Sequence, residues 1–373
     1  CEAVNGKSVF NKGANKLSGK KNMISYIAET PGAMLSQLSN FRDLTKGVSN
    51  LLRQNKPRIL YLIASGSSFN AACCAAPFMR NLLQCEIIPI MPYSFTNRRK
   101  CLKNDELSIV ISQSGYSSSS INALRCVAQN GRDAIALTCD MHSDIVKAAD
   151  YVFDVGCGEE SAGYVTKSVT GIALFLMLSA LNTTGSEKPP SDFHFAIEGN
   201  QVCIQKAQCF WQDHCEEMTS LTEVMLCGCS AGLGTAQEGA LKLSETVQIP
   251  AFAYETEEFL HGPNLRLTPL STVFLIDDDA TQIRPREIFS ALAAVTQHGF
   301  LITLTDLPET HNIFSIPYAV NPDLSPLVML PLFQTLAYQI TEAKHLWYKH
   351  PLLKGFEEKI SGKTENYIQR ERL

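Results

Sequence analysis

The sequence predicts an α/β protein built from two tandem copies of one unit, each a parallel sheet covered by helices on both faces. The first observation is alternation: apolar, β-branched runs at residues 58–64 and 107–111 each enter a Gly/Ser loop and then a helical stretch. The second is recurrence, because the same order of strand, loop and helix returns at residues 224–248 and 273–306. Alternating strands and helices favour a parallel sheet buried on both faces. A repeated order of elements indicates an internal duplication.

The first copy is predicted over residues 23–192. Its elements in order are amphipathic helices over 24–52, a strand at 58–64 with a helix to Met79, a strand-loop-helix over 107–130, strands at 134–138 and 151–155 around a short helical segment at 143–149, and an apolar helix at 172–181. That last run is about half as long as a bilayer-spanning helix, so it predicts a buried helix. Residues 183–192 contain Gly185, Pro189 and Pro190 and are typical of a linker.

The second copy is predicted over residues 193–373. Its elements are a long polar helix over 195–221, a strand at 224–229, a helix over 235–248, a strand at 273–276 followed by a helix to 299, and a strand at 300–306. Residues 1–22 contain five lysines and lack the apolar region of a secretory signal. We expect them to be a disordered leader or a cloning remnant, with Met23 as the natural start.

Composition excludes several classes of partner. The net charge is −5 and the pI is near 5.9, without a long basic run, so neither nucleic acid nor an anionic membrane surface is indicated. The thirteen cysteines lie mostly within apolar runs and show no paired clusters with zinc spacing. We therefore expect a protein of the reducing cytoplasm without a metal site.

A predicted anion-binding loop follows the strand that ends at Ile111. The loop Ser112-Gln113-Ser114-Gly115 leads through serines into a helix, and unpaired N–H groups at a helix start attract a phosphate. The alternative is that Ser112 and Ser117 only cap this helix. The corresponding stretch of the second copy is Asp277-Asp278-Asp279, which would repel a phosphate. The first copy alone is therefore expected to bind the anion.

Candidate acid–base groups lie in the second copy. Glu238, Lys242 and Glu245 have the spacing i, i+4 and i+7, which places them on one helix face. The alternative is a solvated charged surface, and His261 before Gly262-Pro263 has the alternative of an ordinary polar turn residue. A phosphate loop together with a carboxylate and a histidine favours proton transfer next to a carbonyl.

Four motifs in order resemble the sugar isomerase (SIS) family and the isomerase part of glucosamine-6-phosphate synthase. They are Ile63-Ala64-Ser65-Gly66-Ser67-Ser68, Ile111-Ser112-Gln113-Ser114-Gly115, Glu238-Gly239-Ala240-Leu241-Lys242-Leu243-Ser244-Glu245 and His261-Gly262-Pro263. The resemblance implies two tandem SIS domains, each with a five-stranded parallel sheet in a flavodoxin-like three-layer arrangement. It also implies a sugar-phosphate substrate, no cofactor, and a homodimer or higher homo-oligomer with shared active sites.

The same resemblance implies roles for individual residues. Glu245 moves a proton between C1 and C2, His261 opens the sugar ring from the neighbouring subunit, and Lys363 reaches the sugar carbonyl. The implied substrate-binding residues are Ser67, Ser68, Ser112, Gln113, Ser114, Ser117, Thr166 and Lys242.

The synthase has an N-terminal glutaminase domain that begins with a nucleophilic cysteine. Only some fifty residues precede the first predicted strand here, and Cys1-Glu2-Ala3 lacks the Cys-Gly-Ile start of that domain. We therefore expect no glutamine hydrolysis at Cys1, and activity resembling that of deglycases which split fructosamine 6-phosphates or glucoselysine 6-phosphate into a sugar phosphate and an amine. The alternatives are an ammonia-dependent isomerase, an amino-sugar-phosphate deaminase, and a non-catalytic sugar-phosphate sensor.

Overall fold

The computed structural model describes residues 21–98, 102–161, 163–308, 310–348 and 350–367. The predicted leader and Cys1 lie outside the described residues, except for Lys21 and Asn22, which precede the first helix. The side chain of Asn22 accepts a hydrogen bond from the Ser25 N–H and so caps that helix.

The described residues of the first unit form five strands and six α-helices. They are α1 Met23–Ser39, α2 Phe41–Asn55, β1 Ile59–Ile63, α3 Ser67–Leu83, β2 Glu86–Ile90, α4 Pro92–Arg98, β3 Glu106–Ile111, α5 Ser118–Gln129, β4 Ile135–Thr138, β5 Tyr151–Asp154 and α6 Lys167–Thr183. A 3₁₀ turn at Asp144–Ala148 matches the predicted short helical segment. The apolar run 172–181 lies within α6 and is buried, as predicted.

The second unit repeats this plan. Its elements are α7 Ser191–Thr219, β6 Val224–Gly228, α8 Ser230–Lys242, β7 Ala251–Glu255, β8 Thr272–Asp277, α9 Arg284–Leu292, β9 Gly299–Thr303, β10 Ile313–Ser315, α10 Ser325–Ala343 and α11 Leu352–Lys359. The helix predicted to run to residue 299 ends at Leu292, and the predicted linker is shorter because α7 begins at Ser191.

Both sheets are parallel and five-stranded, which confirms the predicted fold class. The first has the order β2-β1-β3-β4-β5, and the second, counted from its β7 edge, has the order β7-β6-β8-β9-β10. These are the same topology, so the internal duplication is confirmed. In this topology β1 and β3 are neighbours, and the chain continues from β1 to β2 on one side of this pair and from β3 to β4 on the other side. Ligands of such sheets bind at the carboxyl ends of these two strands.

The sequence missed β2, β7 and β10, and all three lie at sheet edges. The residues of β2 and β7 are mostly half-buried, whereas every residue of β1, β3, β6 and β8 is buried. Central strands of parallel sheets are continuous apolar runs because both faces are covered. Edge strands have less apolar sequences, so their pattern is weaker.

The two units share one hydrophobic core, in which α3 packs against α8. The backbones approach closely at Gly234, where a Cβ atom would lie 2.7 Å from the backbone nitrogen of Cys74. A larger residue at this position would push α8 away from the first sheet. This packing therefore sets the distance between the first sheet and the carboxylates of α8.

Within the described ranges no helix combines the length and the apolar character needed to cross a bilayer.

Candidate active site

The predicted anion loop connects β3 to α5 and is held rigidly. Gly115 has φ +69°, and a Cβ atom there would overlap the Ser143 hydroxyl, so the turn requires glycine. The Gln113 carbonyl accepts the N–H of Cys139 at 3.0 Å, which ties the loop to the end of β4. Ser112 and Gln113 are buried. The loop is therefore preorganised at the carboxyl edge of the sheet.

Ser117 is the N-cap of α5, and its hydroxyl accepts the N–H of Ser120. The capping alternative is thus correct for Ser117, although a capping serine at the first turn still lies where an anion would bind. Ser112 makes no such cap; its backbone N–H instead donates to the Leu137 carbonyl. Ser67 and Ser68 begin α3 at the end of the neighbouring strand β1, so both serine groups lie at the same sheet edge.

A buried ion-pair cluster joins this edge to the second unit. The Lys242 ammonium lies 3.2 Å from Glu238 and in close contact with Glu245, and it donates to the Ser67 hydroxyl at 3.1 Å. The Glu238 carboxylate also accepts from the Asn70 amide at 2.8 Å. Glu238 and Lys242 are fully buried. The alternative of a solvated charged surface is therefore wrong for these two residues.

The charges of this cluster depend on one another. Burial alone would lower the pKa of Lys242, but the carboxylates of Glu238 and Glu245 raise it overall. Burial raises the pKa of Glu238, and the Lys242 ammonium opposes that shift. Lys242 therefore stays protonated, and its charge holds the Glu245 carboxylate in place.

Glu245 differs from its partners because 30% of its side chain is exposed. The α-helical geometry of α8 ends at Lys242 and continues as one π turn over Leu243–Val247. Single π turns within helices are frequent at functional sites because they re-aim side chains. The cluster thus presents one accessible carboxylate on a buried, charged support.

The segment after α11 returns to the anion loop. Lys363 donates to the Ser114 hydroxyl at 2.8 Å, and Lys363 and Ser117 form an isolated antiparallel bridge. The Gly362 carbonyl accepts the N–H of Ser118, and Thr364 bonds to Asp144 through its hydroxyl. Partial burial lowers the pKa of the Lys363 ammonium. The predicted lysine and the predicted phosphate loop are therefore in direct contact.

For two predicted residues, Thr166 and His261, the described part of the chain shows no hydrogen bond or ion pair to the loop or to the ion-pair cluster. Thr166 is buried at the start of α6, its hydroxyl donates to the Tyr164 carbonyl, and the Glu160 carboxylate accepts the N–H groups of residues 166–168. This helix start therefore already holds an anionic side chain. His261 is exposed on the segment after β7, and among the described residues no hydrogen bond or ion pair joins it to Glu245. A role for either residue stays a prediction.

Sequence reasoning missed Asn70, which anchors Glu238. The only signal was its position three residues after Ser67, on the same side of α3.

Sequence reasoning also missed a cavity of about 330 Å³ in the second unit. The cavity lies at the carboxyl ends of β6, β7 and β8, and its lining residues include Cys229, Glu255 and Asp278. Burial raises the pKa of Asp278 to about 7. This acidic cavity occupies the place that the phosphate loop has in the first unit.

Comparisons with known proteins agree with this architecture. The family model of the SIS domain matches residues 51–181. The glutamine–fructose-6-phosphate aminotransferases (isomerizing) of Sulfurisphaera tokodaii and Bacillus licheniformis are 25% and 27% identical over 86% and 85% of the chain. The chain spans about half the length of these relatives, 54% in both cases.

Solved structures share the fold over both units. A protein from Clostridium difficile 630, provisionally described as a phosphosugar isomerase, superposes with a TM-score of 0.81 at 24% identity and covers 92% of this chain and 99% of its own. The C-terminal domain of the glucosamine-fructose-6-phosphate aminotransferase from Francisella tularensis gives 0.72 at 20% identity, with coverage of 91% and 100%. Residues 51–181 thus match the SIS domain, and a second unit of the chain repeats the same sheet topology.

Proposed function

We propose that this protein catalyses a proton shift between C1 and C2 of a sugar 6-phosphate that carries an amine. The substrate would be a glycated amine 6-phosphate of the fructosamine or glucoselysine type, and the products a hexose 6-phosphate and the free amine. The phosphate would bind at Ser112, Gln113, Ser114 and Ser117, and Glu245 would transfer the proton.

The observation that carries this proposal is the link from Glu245 through Lys242 to Ser67. Through it an accessible carboxylate of the second unit is held next to the serine-rich edge of the first sheet. A base and a phosphate-binding loop at one edge are what a proton transfer on a phosphorylated sugar requires. A sensor needs only the loop, so a buried lysine that orients a partly exposed carboxylate favours an enzyme.

The chemistry proceeds with acid–base groups alone. In the open-chain ketoamine, Glu245 removes a proton from C1, and the electron pair forms a C1–C2 double bond while the C2 carbonyl oxygen is protonated. A proton then returns to C2, and the C1–N bond becomes an imine. Water adds to this imine at C1, and the C–N bond breaks to release the amine and an aldose 6-phosphate. Lys363, in contact with Ser114, would lie near the phosphorylated end of the substrate or its carbonyl.

A second candidate is supported by the names of similar proteins. Besides the aminotransferases, a Thermotoga maritima protein described as a glucosamine-6-phosphate deaminase has the same fold, with a TM-score of 0.68 at 18% identity. A deaminase, or an isomerase that uses free ammonia, would need the same base and the same phosphate loop. The two candidates differ in the amine that leaves or enters.

The test is a substrate panel. The protein would be incubated with fructosamine 6-phosphates of several amino acids, glucoselysine 6-phosphate and glucosamine 6-phosphate, and the released hexose 6-phosphate and amine would be quantified. Release from the glycated amino acids supports the deglycase, whereas release of ammonia from glucosamine 6-phosphate alone supports the deaminase. Binding of the panel without any turnover would contradict both candidates and favour a sensor.

We further propose that the catalytic unit is a homodimer with shared sites. His261 is exposed, and the same segment carries Leu265 and Leu270 with 86% and 79% of their surface accessible. Exposed apolar side chains on one segment are typical of a protein interface. A two-fold axis would allow His261 of one chain to approach Glu245 of the other.

A further inference from the structure

A cluster of histidines surrounds one carboxylate at the amino edge of the second sheet. Three of the eight histidines in the chain take part: His214 on α7, His298 immediately before β9, and His311 two residues before β10. The carboxylate is that of Glu217, which lies three residues after His214 on α7. Because His298 and His311 precede their strands, the cluster is at the amino edge of the second sheet.

Glu217 is the centre of this cluster. One of its oxygens is in close contact with Nδ1 of His298, and the other lies 3.2 Å from Nε2 of His311. One ligand atom each from His214, Glu217 and His311 lie within 4.8 Å of one another. Ligand atoms around a tetrahedral Zn²⁺ are about 3.4 Å apart, given metal–ligand distances of about 2.1 Å. The ligand atoms would therefore have to move together by up to about 1.4 Å to hold an ion.

Two backbone carbonyls hold the His214 ring in place. Nδ1 lies 2.8 Å from the Phe210 carbonyl and Nε2 lies 2.7 Å from the His311 carbonyl. His214 is only 6% exposed. A hydrogen bond from one ring nitrogen to a backbone carbonyl is the usual support of a metal-binding histidine. Coordination through Nε2 requires the ring to turn away from the His311 carbonyl, because an ion does not fit between two atoms 2.7 Å apart.

Accessibility suits metal entry. His214 is buried and 15% of the Glu217 side chain is exposed, whereas the His311 side chain is 61% exposed and the His298 side chain is 34% exposed. The outer histidines can thus rotate toward an incoming ion. Imidazole nitrogens with one carboxylate oxygen are a ligand set that suits Zn²⁺ and similar transition metals.

We propose that His214, Glu217 and His311, with His298 at the second carboxylate oxygen, bind a divalent transition-metal ion such as Zn²⁺. The ion would connect α7 to the segments before β9 and β10 and stabilise the second unit. None of these four residues belongs to the candidate active site, so catalysis would not depend on the ion.

The experiment is Zn²⁺ binding to the chelator-treated full chain, measured by equilibrium dialysis and calorimetry. The His311→Ala and Glu217→Gln variants remove a ligand, and His194→Ala removes an exposed histidine of the same helix α7 as a matched control. Wild type and His194→Ala should bind one more equivalent of Zn²⁺ than His311→Ala does, or should bind that equivalent of Zn²⁺ at least tenfold more tightly. Co²⁺ in place of Zn²⁺ should give the visible absorption of a tetrahedral site in the wild type and not in Glu217→Gln.

Equal Zn²⁺ stoichiometry and affinity in the wild type and His311→Ala would overturn the proposal, because the bound ion would then belong to other surface groups. Absence of Zn²⁺ binding by the folded wild type would overturn it as well. His311 is exposed, so its replacement should leave the fold intact, and circular dichroism of each variant checks this.

Discussion

The replacement Glu245→Gln separates a catalytic role of this carboxylate from a structural one. Glutamine keeps the shape of the side chain and an acceptor for Lys242, but it cannot take up a proton. Loss of a general base lowers kcat by about 10²–10⁴, equivalent to about 3–5 kcal/mol in the activation free energy. KM should change little, because the proposed phosphate contacts lie in the first unit.

The expected effect on stability is much smaller. Lys242 retains Glu238 at 3.2 Å and Ser67 at 3.1 Å in the variant, so the buried charge is not left alone. The Glu245 side chain is 30% exposed, and water partly replaces the lost charge. We expect a loss of about 1 kcal/mol in the free energy of unfolding, well below the cost of about 3–5 kcal/mol for breaking a fully buried pair.

A matched control is available in the first unit. Glu29 is 33% exposed and pairs with the buried Lys167 at 3.2 Å, so Glu29→Gln removes a similar charge from a similar environment. Both variants would be assayed for kcat and KM on the best substrate of the panel, and for unfolding in urea. A catalytic role requires that only Glu245→Gln loses turnover. Wild-type turnover in Glu245→Gln, or equal losses in both variants, would refute the assignment of Glu245 as the base.

Three further predictions concern other parts of the molecule. Replacing both Ser112 and Ser114 by alanine should raise KM by about 100-fold or more, because each hydrogen bond to a charged oxygen contributes about 1.5–3 kcal/mol; an unchanged KM in steady-state assays would contradict phosphate binding at this loop. Mixing inactive Glu245→Ala and His261→Ala chains should restore about a quarter of wild-type activity through mixed dimers with one intact site, and no recovery despite proven subunit exchange would exclude shared sites. Asp278→Asn should stabilise the protein at pH 8 by up to about 4 kcal/mol and have little effect near pH 4. Burial raises the pKa of Asp278 to about 7, so the folded state prefers the protonated carboxyl and wild type loses stability as the pH rises toward that value; equal stabilities at pH 8 in urea unfolding would contradict this.

Much of the fold was predictable because its central strands are covered on both faces. The runs that form β1, β3, β6 and β8 are continuous and apolar, and Gly/Ser loops follow β1, β3 and β6. Three of the four edge strands, β2, β7 and β10, were missed because edge strands are covered less completely and have a weaker apolar pattern, whereas the edge strand β5 was predicted. The spacing of Glu238, Lys242 and Glu245 indicated a shared helix face, but the same spacing occurs on solvated helices. Only burial distinguishes the two.

The sequence by itself determined the α/β class, the duplication and the position of the Gly/Ser loop between β3 and α5, since each depends on residues that are close together in the chain. The tertiary structure decided which of these residues meet. Lys242 reaches Ser67 because α8 packs closely on α3 through Gly234, and Lys363 reaches Ser114 across 249 positions because the chain returns to the first sheet after α11. The histidine cluster around Glu217 likewise joins three segments without a local spacing pattern. Contacts between distant segments depend on helix packing and strand order, and single-sequence periodicity carries neither.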